Sequence, residues 1–322
     1  MAIPTNAQTT FTTIGNREDL SDVIYDISPM ETPFSSNVSR EGASGVFTEW
    51  QTEVLDAAAA NIQIEGDDAT ANTVVPATRV GNYQQISRRV PTVSKTQREV
   101  NRAGVGDEYT HQTLRNGNIL KRDMEYALTR NQASSAGGEG TGRALGSLES
   151  WLSTNKTSVG TGTAQTTAGF AAGVVAAPVD STVLGALTKD AIDDVIQKCW
   201  TQGGNPTTIM VGPHNRTVIS GFSGISTLQT DANSNQDITL IGGVDFYKSN
   251  FGILKVVPNR FQRDETAFVL DMDMLGIASL RDMSVTPLSK TGDSDKALIV
   301  SEYTLKVKNE AASGKVTDCT TS

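Results

Sequence analysis

The apolar positions of this chain fall into helical period in two long stretches and into alternation in several short ones. Between residues 106 and 133, Leu120, Met124, Ala127 and Leu128 recur at i, i+4, i+7 and i+8, one face of a helix. Asp107 and Glu108 suit its positive N-terminal end and Arg130 its other end. Gly117 weakens it by about 1 kcal/mol relative to alanine. Residues 134–142 end it. A second amphipathic helix is predicted over 188–203. Thr188 is its N-cap, Asp190, Asp193 and Asp194 load its first turns, Lys198 its last, and Gly203 stops it. Ile192, Val195, Ile196 and Cys199 form its buried stripe. A strand at 207–211 and a helix opening at Pro213 complete an α/β unit. Further strands are expected at 244–249, 253–258, 267–271 and 297–308.

The first third reads differently. Residues 1–40 space only Leu20, Val23, Ile24 and Ile27 as a short helix, and Ser28-Pro29 and Thr32-Pro33 then break it. Such a segment is an arm that lies across a neighbour. Residues 45–51 alternate as a strand, and residues 79–87 can be its return strand. The stretch between them is turn-rich and polar at its tip. Residues 153–187 are rich in Thr, Gly, Ala, Ser and Val with few charges, which predicts a mobile loop or loose strand pair.

Charge sharpens the hairpin. Residues 41–68 carry Glu41, Glu49, Glu53, Asp56, Glu65, Asp67 and Asp68 and no Lys or Arg. Residues 79–102 carry Arg79, Arg88, Arg89, Lys95, Arg98 and Arg102 against the single acid Glu99. One leg is acidic and one basic, with too little apolar content for a core. The legs pair with each other or with complementary patches on an adjacent subunit. The expected contact residues are Phe47, Glu49, Trp50, Glu53, Asp67, Asp68, Arg79, Tyr83, Arg88 and Arg89.

The formal net charge of −9 over 322 residues argues against a sequence-reading nucleic-acid binder, because phosphate neutralisation needs Lys and Arg. Length suggests roughly two domains. Two cysteines, Cys199 and Cys319, give no disulfide framework and suit a reducing compartment. The polar N-terminus lacks the basic and apolar regions of a signal peptide, and no apolar run is long enough for a membrane span.

Candidate chemistry is sparse. His111 and His214 have no partner at metal-ligand or triad spacing. Asp271-Met272-Asp273 is a lone DxD at a strand end, compatible with a metal-dependent enzyme but without a second ligand set. The Gly-rich stretch 137–146 follows a helix and matches neither a phosphate loop nor a dinucleotide fingerprint. No Ser sits in a nucleophile elbow. The expectation is no catalytic, metal or cofactor site.

Several strings resemble a family of tailed-phage major capsid proteins. They are residues 15–34, ending in Ser28-Pro29-Met30-Glu31-Thr32-Pro33-Phe34, then Glu49-Trp50-Gln51-Thr52, Glu65-Gly66-Asp67-Asp68-Ala69 and Arg79-Val80-Gly81-Asn82-Tyr83. Leu120-Lys121-Arg122-Asp123-Met124-Glu125, Asn131-Gln132-Ala133 and Gly203-Gly204-Asn205-Pro206 extend the likeness along nearly the whole chain. The resemblance implies an α+β fold of the Hong Kong 97 type. Its parts would be an N-terminal arm (1–45), an extended loop (46–100), a peripheral domain with a long spine helix (101–154), an axial domain (155–271) and a return to the peripheral domain (272–322). The turn-rich stretch 224–243 is the expected loop at the symmetry axis.

The function so implied is a non-enzymatic subunit that self-assembles into hexamers and pentamers of an icosahedral shell around double-stranded phage DNA. Its implied partners are further copies of itself, a separate scaffolding protein, a portal protein, DNA held non-specifically and optionally a decoration protein, with no membrane. Because the chain enters its arm almost at once, the scaffold is expected as a separate protein. The implied location is the virion, after assembly in the bacterial host cytoplasm. A tail or decoration subunit is the alternative of the same class and the DxD enzyme the alternative of another.

Overall fold

The computed structural model describes residues 30–66, 68, 71, 73–100, 104–222, 245–290 and 292–321. The short helix expected from Leu20, Val23, Ile24 and Ile27, the axis loop 224–243, Asp67 and Arg102 lie outside the described residues.

The described chain opens with a short helix α1 (Pro33–Asn37), strand β1 (Ser39–Gly42) and a two-stranded ribbon of β2 (Phe47–Thr52) and β3 (Thr78–Tyr83). β4 (Gln85–Arg89), β5 (Thr92–Ser94), α2 (Lys95–Glu99), the long helix α3 (Glu108–Thr129) and α4 (Leu148–Trp151) follow. Next come β6 (Lys156–Ser158), the small hairpin β7 (Phe170–Ala171) and β8 (Val174–Val175), α5 (Lys189–Thr201), β9 (Thr208–Val211) and α6 (Pro213–Ser220). The chain ends with β10 (Phe246–Lys248), β11 (Ile253–Pro258), β12 (Ala267–Leu270), the long pair β13 (Leu275–Pro287) and β14 (Ser294–Val307), and β15 (Gly314–Thr317).

Two sheets organise these elements. One runs β1-β13-β14-β4, with β5 also on β14; the other runs β10-β11-β9-β12-β15-β6. Each builds its own core. In the first, α3 and α4 lay Met124, Leu128, Leu148 and Trp151 against Ile277, Tyr303 and Leu305. In the second, α5 and α6 lay Ile192, Val195, Ile196, Cys199 and Ile219 against Ile209, Val211, Leu254 and Val256. Met210 and Phe268 point from the opposite face of the second sheet into the first core. β9 and β12 are therefore buried at all four of their positions, which is why their sequences are apolar runs rather than alternations.

Both long expected helices form; Thr188 caps the second as expected, and Asp107, expected as an acid near the N-terminal end, caps the first. Asp107 accepts hydrogen bonds from the Tyr109 and Thr110 amides at the start of α3, and Thr188 accepts one from Ala191 at the start of α5. Only the second half of α3 reaches the core. Its first half, 109–119, has no fully buried residue.

The hairpin is shorter than expected. β3 ends at Tyr83, where Gln84 turns the chain: its amide hydrogen-bonds to Val46 O while its side chain reaches Thr48 Oγ1 and Ala278 O. β4 then pairs with β14, so Arg88 and Arg89 belong to the large sheet and not to the ribbon, and Lys95 and Arg98 sit on α2. Residues 153–187 are also more structured than expected. The β7–β8 hairpin buries Val175 and packs Phe170 on Trp151. The Asp318 carboxylate accepts from Ser158, Gln165 and Ser181, pinning both ends of the stretch to the last described segment.

Candidate subunit-contact surface

The ribbon is rigid at its base and open beyond it. Phe47 lies opposite Tyr83 with ring centroids 4.5 Å apart, and its ring covers Gly81, where a Cβ would come within 2.7 Å of it. Trp50 sits 5.5 Å from Trp151, which stacks on Phe170. Asn82 is fully buried. Its Nδ2 donates to Gly146 O and Leu305 O, and its Oδ1 accepts from the Gly146 and Tyr83 amides. A buried amide with all these groups satisfied is costly to displace, so it fixes the angle at which the ribbon leaves the body.

Past Thr52 the described residues up to Ala77 form no helix or strand, and they turn their aliphatics outward. Val54 is 83% exposed, Leu55 88%, Ile62 87%, Ile64 80% and Val74 87%. That is a dense set of exposed aliphatics for one segment, the kind of patch that marks a candidate contact surface.

The charges of the two legs distribute unevenly. Glu49 and Arg79 form the one ion pair between legs among the described residues, at 2.8 Å. Three other bases of the leg turn to their own subunit. Arg89 holds Asp123 of α3 at 2.6 Å, Arg98 bridges Asp107 and Asp295, and Lys95 faces Asp293. On the acidic side, Glu41 is held by Lys306 and Lys308, whose hydrogen bonds lower its pKa. Glu53, Asp56, Glu65 and Arg88 are exposed and form no ion pair among the described residues. Asp68 is exposed as well. Of the expected contact residues, then, Phe47, Glu49, Trp50, Arg79 and Tyr83 shape the ribbon, Arg89 braces α3, and Glu53, Asp68 and Arg88 face outward.

Sequence reasoning missed two buried polar junctions. In the first, Glu125 of α3 accepts from the Phe34 and Ser35 amides and from Asn259 Nδ2, each at 2.8 Å. Burial raises its pKa against the pull of those bonds. This carboxylate joins α1, α3 and the turn after β11. In the second, Arg263 is held by Glu149, Asp180 and Glu265. Beside it Lys315 donates to Glu149 O and Thr167 Oγ1, and burial lowers its pKa to about 8. No spacing in the sequence announces either, since each assembles residues from distant segments.

Asp271, weighed for metal chemistry, has a structural duty. Asp271 Oδ1 accepts from the Asp273 amide and its Oδ2 from the Asn205 amide, which closes the turn after β12. Cys199 and Cys319 are free and buried, and burial pushes both thiols up to about 12. Among the described residues no three His, Cys, Asp or Glu side chains cluster as metal ligands, and no helix is long and apolar enough to cross a membrane.

Comparison with known proteins agrees with this geometry. The family model described as SU10 major capsid protein matches residues 3–320. The major capsid protein of Escherichia phage Phieco32 is 26% identical, with 93% of each chain covered. Among solved structures, the capsid asymmetric unit of cyanophage A-1(L) superposes with a TM-score of 0.66 at 14% identity, covering 97% of this chain and 98% of that one. The capsid of a native GTA particle, computed with C5 symmetry, gives 0.59 at 11% identity, covering 95% and 96%.

Proposed function

The chain belongs to the SU10 major capsid protein family and is a phage capsid shell subunit with a Hong Kong 97-like α+β fold; from that premise we propose that its extended loop locks neighbouring copies together. The observation that carries this is the run of exposed aliphatics on a segment whose base is clamped by buried Asn82 and Gln84. The clamped base fixes where the ribbon starts, and the apolar area covered beyond it offsets the cost of ordering the irregular segment. Covering a Val, Leu or Ile side chain contributes about 1.5–3 kcal/mol each, whereas an exposed ion pair contributes about 0–1 kcal/mol. Val54, Leu55, Ile62, Ile64 and Val74 therefore supply the affinity. Glu53, Asp56, Glu65, Asp67 and Asp68 set register against basic groups of the neighbour, Arg88 among them.

In this reading residues 1–45 are the arm and 46–100 the extended loop, whose last part returns to the large sheet. Residues 101–154 form the peripheral domain with α3 as its spine, 155–271 the axial domain and 272–322 the return. Copies form hexamers and pentamers of an icosahedral shell that encloses double-stranded DNA, and the work done is repeated interface formation rather than a chemical step. A separate scaffolding protein, a portal protein and optionally a decoration protein complete the particle, and assembly takes place in the host cytoplasm, where free Cys199 and Cys319 stay reduced.

The test is the quadruple variant V54S/L55S/I62S/I64S, expressed with and without a scaffolding partner. These side chains touch little of their own subunit, so the variant should fold with wild-type thermal stability. Negative-stain microscopy should show wild-type shells and, for the variant, at least tenfold fewer. Normal shells from the variant would overturn the reading.

A further inference from the structure

The domain of the six-stranded sheet carries two exposed patches of opposite charge, one on the sheet edge β10–β11 and one on α5 across the sheet. α5 and α6 cover the face that bears Tyr247, Leu254 and Val256. On the other face the first core covers only the centre, through Met210 and Phe268. The β10–β11 edge lies beyond that cover. Phe246 is 63% exposed there and Ile253 64%. Register sets Phe246 beside Lys255 and Lys248 beside Ile253, a two-by-two plate of apolar and basic residues. Both lysines are exposed and form no ion pair among the described residues.

Across the sheet, α5 presents the complement. Asp190, Asp193, Gln197 and Trp200 follow at i, i+3, i+7 and i+10, a single stripe. Asp190 is exposed without an ion pair among the described residues, and Asp193 accepts the Tyr247 hydroxyl. Trp200 is 58% exposed and leans on Phe251 at 5.4 Å. One side of the domain thus offers apolar groups with positive charge, the other an aromatic with negative charge.

We propose that the Phe246–Lys248–Ile253–Lys255 plate of one copy receives the Asp190–Trp200 stripe of α5 from the next copy. This rests on the chain being a shell subunit, which supplies the neighbouring copies. The charges fix the symmetry. A two-fold contact would set plate on plate and bring like charges together, whereas a rotational, head-to-tail contact matches plate to stripe and repeats until a ring closes. Phe246, Ile253 and Trp200 are the buried anchors; the lysines and aspartates set orientation.

The experiment uses the full chain, assembled as the wild type assembles. K248E/K255E should cut shell yield at least tenfold with the thermal melt unchanged, and D190K should cut it likewise, with only the small drop in melt that a base in the first turn of α5 brings. Combining K255E with D190K in one chain exchanges the sign of one charge on each patch and leaves each side with one charge of either sign, and yield should recover severalfold over D190K. As a readout independent of charge, Gln197→Cys with Lys248→Cys should give oxidised ladders between copies in assembled shells. Normal shells from K248E/K255E, or shells of the cysteine variant that yield no ladder, would overturn the proposal and leave the capsid reading standing. Wild-type chain that forms neither rings nor shells with its scaffold would overturn the capsid reading itself.

Discussion

Arg88 and Arg89 are adjacent in sequence and opposite in duty. Strand alternation sends Arg89 toward α3, where its guanidinium holds Asp123 at 2.6 Å, and leaves Arg88 on the other face of β4 without an ion pair among the described residues. Reversing both at once would confound folding with assembly. Arg89→Glu alone should cost the folded chain about 1 kcal/mol, because the pair is partly exposed and two carboxylates replace it. Arg88→Glu should change stability by less than about 0.5 kcal/mol yet lower shell yield. Urea denaturation of each single variant, set beside particle counts, separates the two. A destabilised Arg88→Glu or a neutral Arg89→Glu would contradict this division.

Elements meet at Glu125, and that junction makes its own prediction. The carboxylate accepts from two amides of α1 and from Asn259, so it ties the start of the described chain to the long helix and to the turn after β11. Its pKa is raised by burial, so the folded state holds a proton more tightly than the unfolded chain does. The sign follows: the stability Glu125 contributes is greatest at low pH and declines as pH rises through and above the ordinary carboxylate range. Glu125→Gln should remove that decline. It should also speed amide exchange at Ser35, whose N–H would then meet an NH2 instead of an oxygen. Unchanged exchange and an unchanged pH profile would refute the role. Such a junction is invisible in the linear chain, whereas much else is legible there. α3 and α5 can be read because their apolar positions keep helical period and Asp107 and Thr188 cap them. The ribbon β2–β3 shows in its alternation, but its end does not. Gln84 is a polar residue in a strand-like run, and only its buried bonds to Thr48 and Ala278 reveal a switch between sheets. β13 escapes sequence reading because only its first four residues are buried and its outer half is exposed, so no apolar period spans it. The outward loop aliphatics are hidden for the opposite reason: an exposed Val or Ile looks the same in sequence as a buried one.

At the scale of the whole molecule, the balance of charge bears on what the shell can hold. The chain has 27 Lys and Arg against 36 Asp and Glu. Many of those bases are already paired within the subunit: Arg79, Arg89, Arg98, Arg143, Arg216, Arg263, Arg281, Lys306 and Lys308 all hold carboxylates. A plate-to-stripe contact between copies would engage Lys248 and Lys255 as well. Phosphate contacts draw on unpaired Lys and Arg, and each neutralised phosphate adds about 0.9 to the slope of log affinity against log salt on duplex DNA. A subunit with this balance should therefore bind duplex weakly, with a dissociation constant no tighter than about 100 μM near physiological salt, the weak end of the non-specific range. The salt slope should correspond to only one or two phosphates. On the proposed function, such a wall would contain a packed genome without gripping it. Fluorescence anisotropy of a labelled duplex, titrated with unassembled chain at several salt concentrations, measures both quantities. Micromolar affinity with a steep slope would mean that bases now holding carboxylates, or scattered over the surface, gather into one basic face, and the shell would then hold its DNA by direct charge contact.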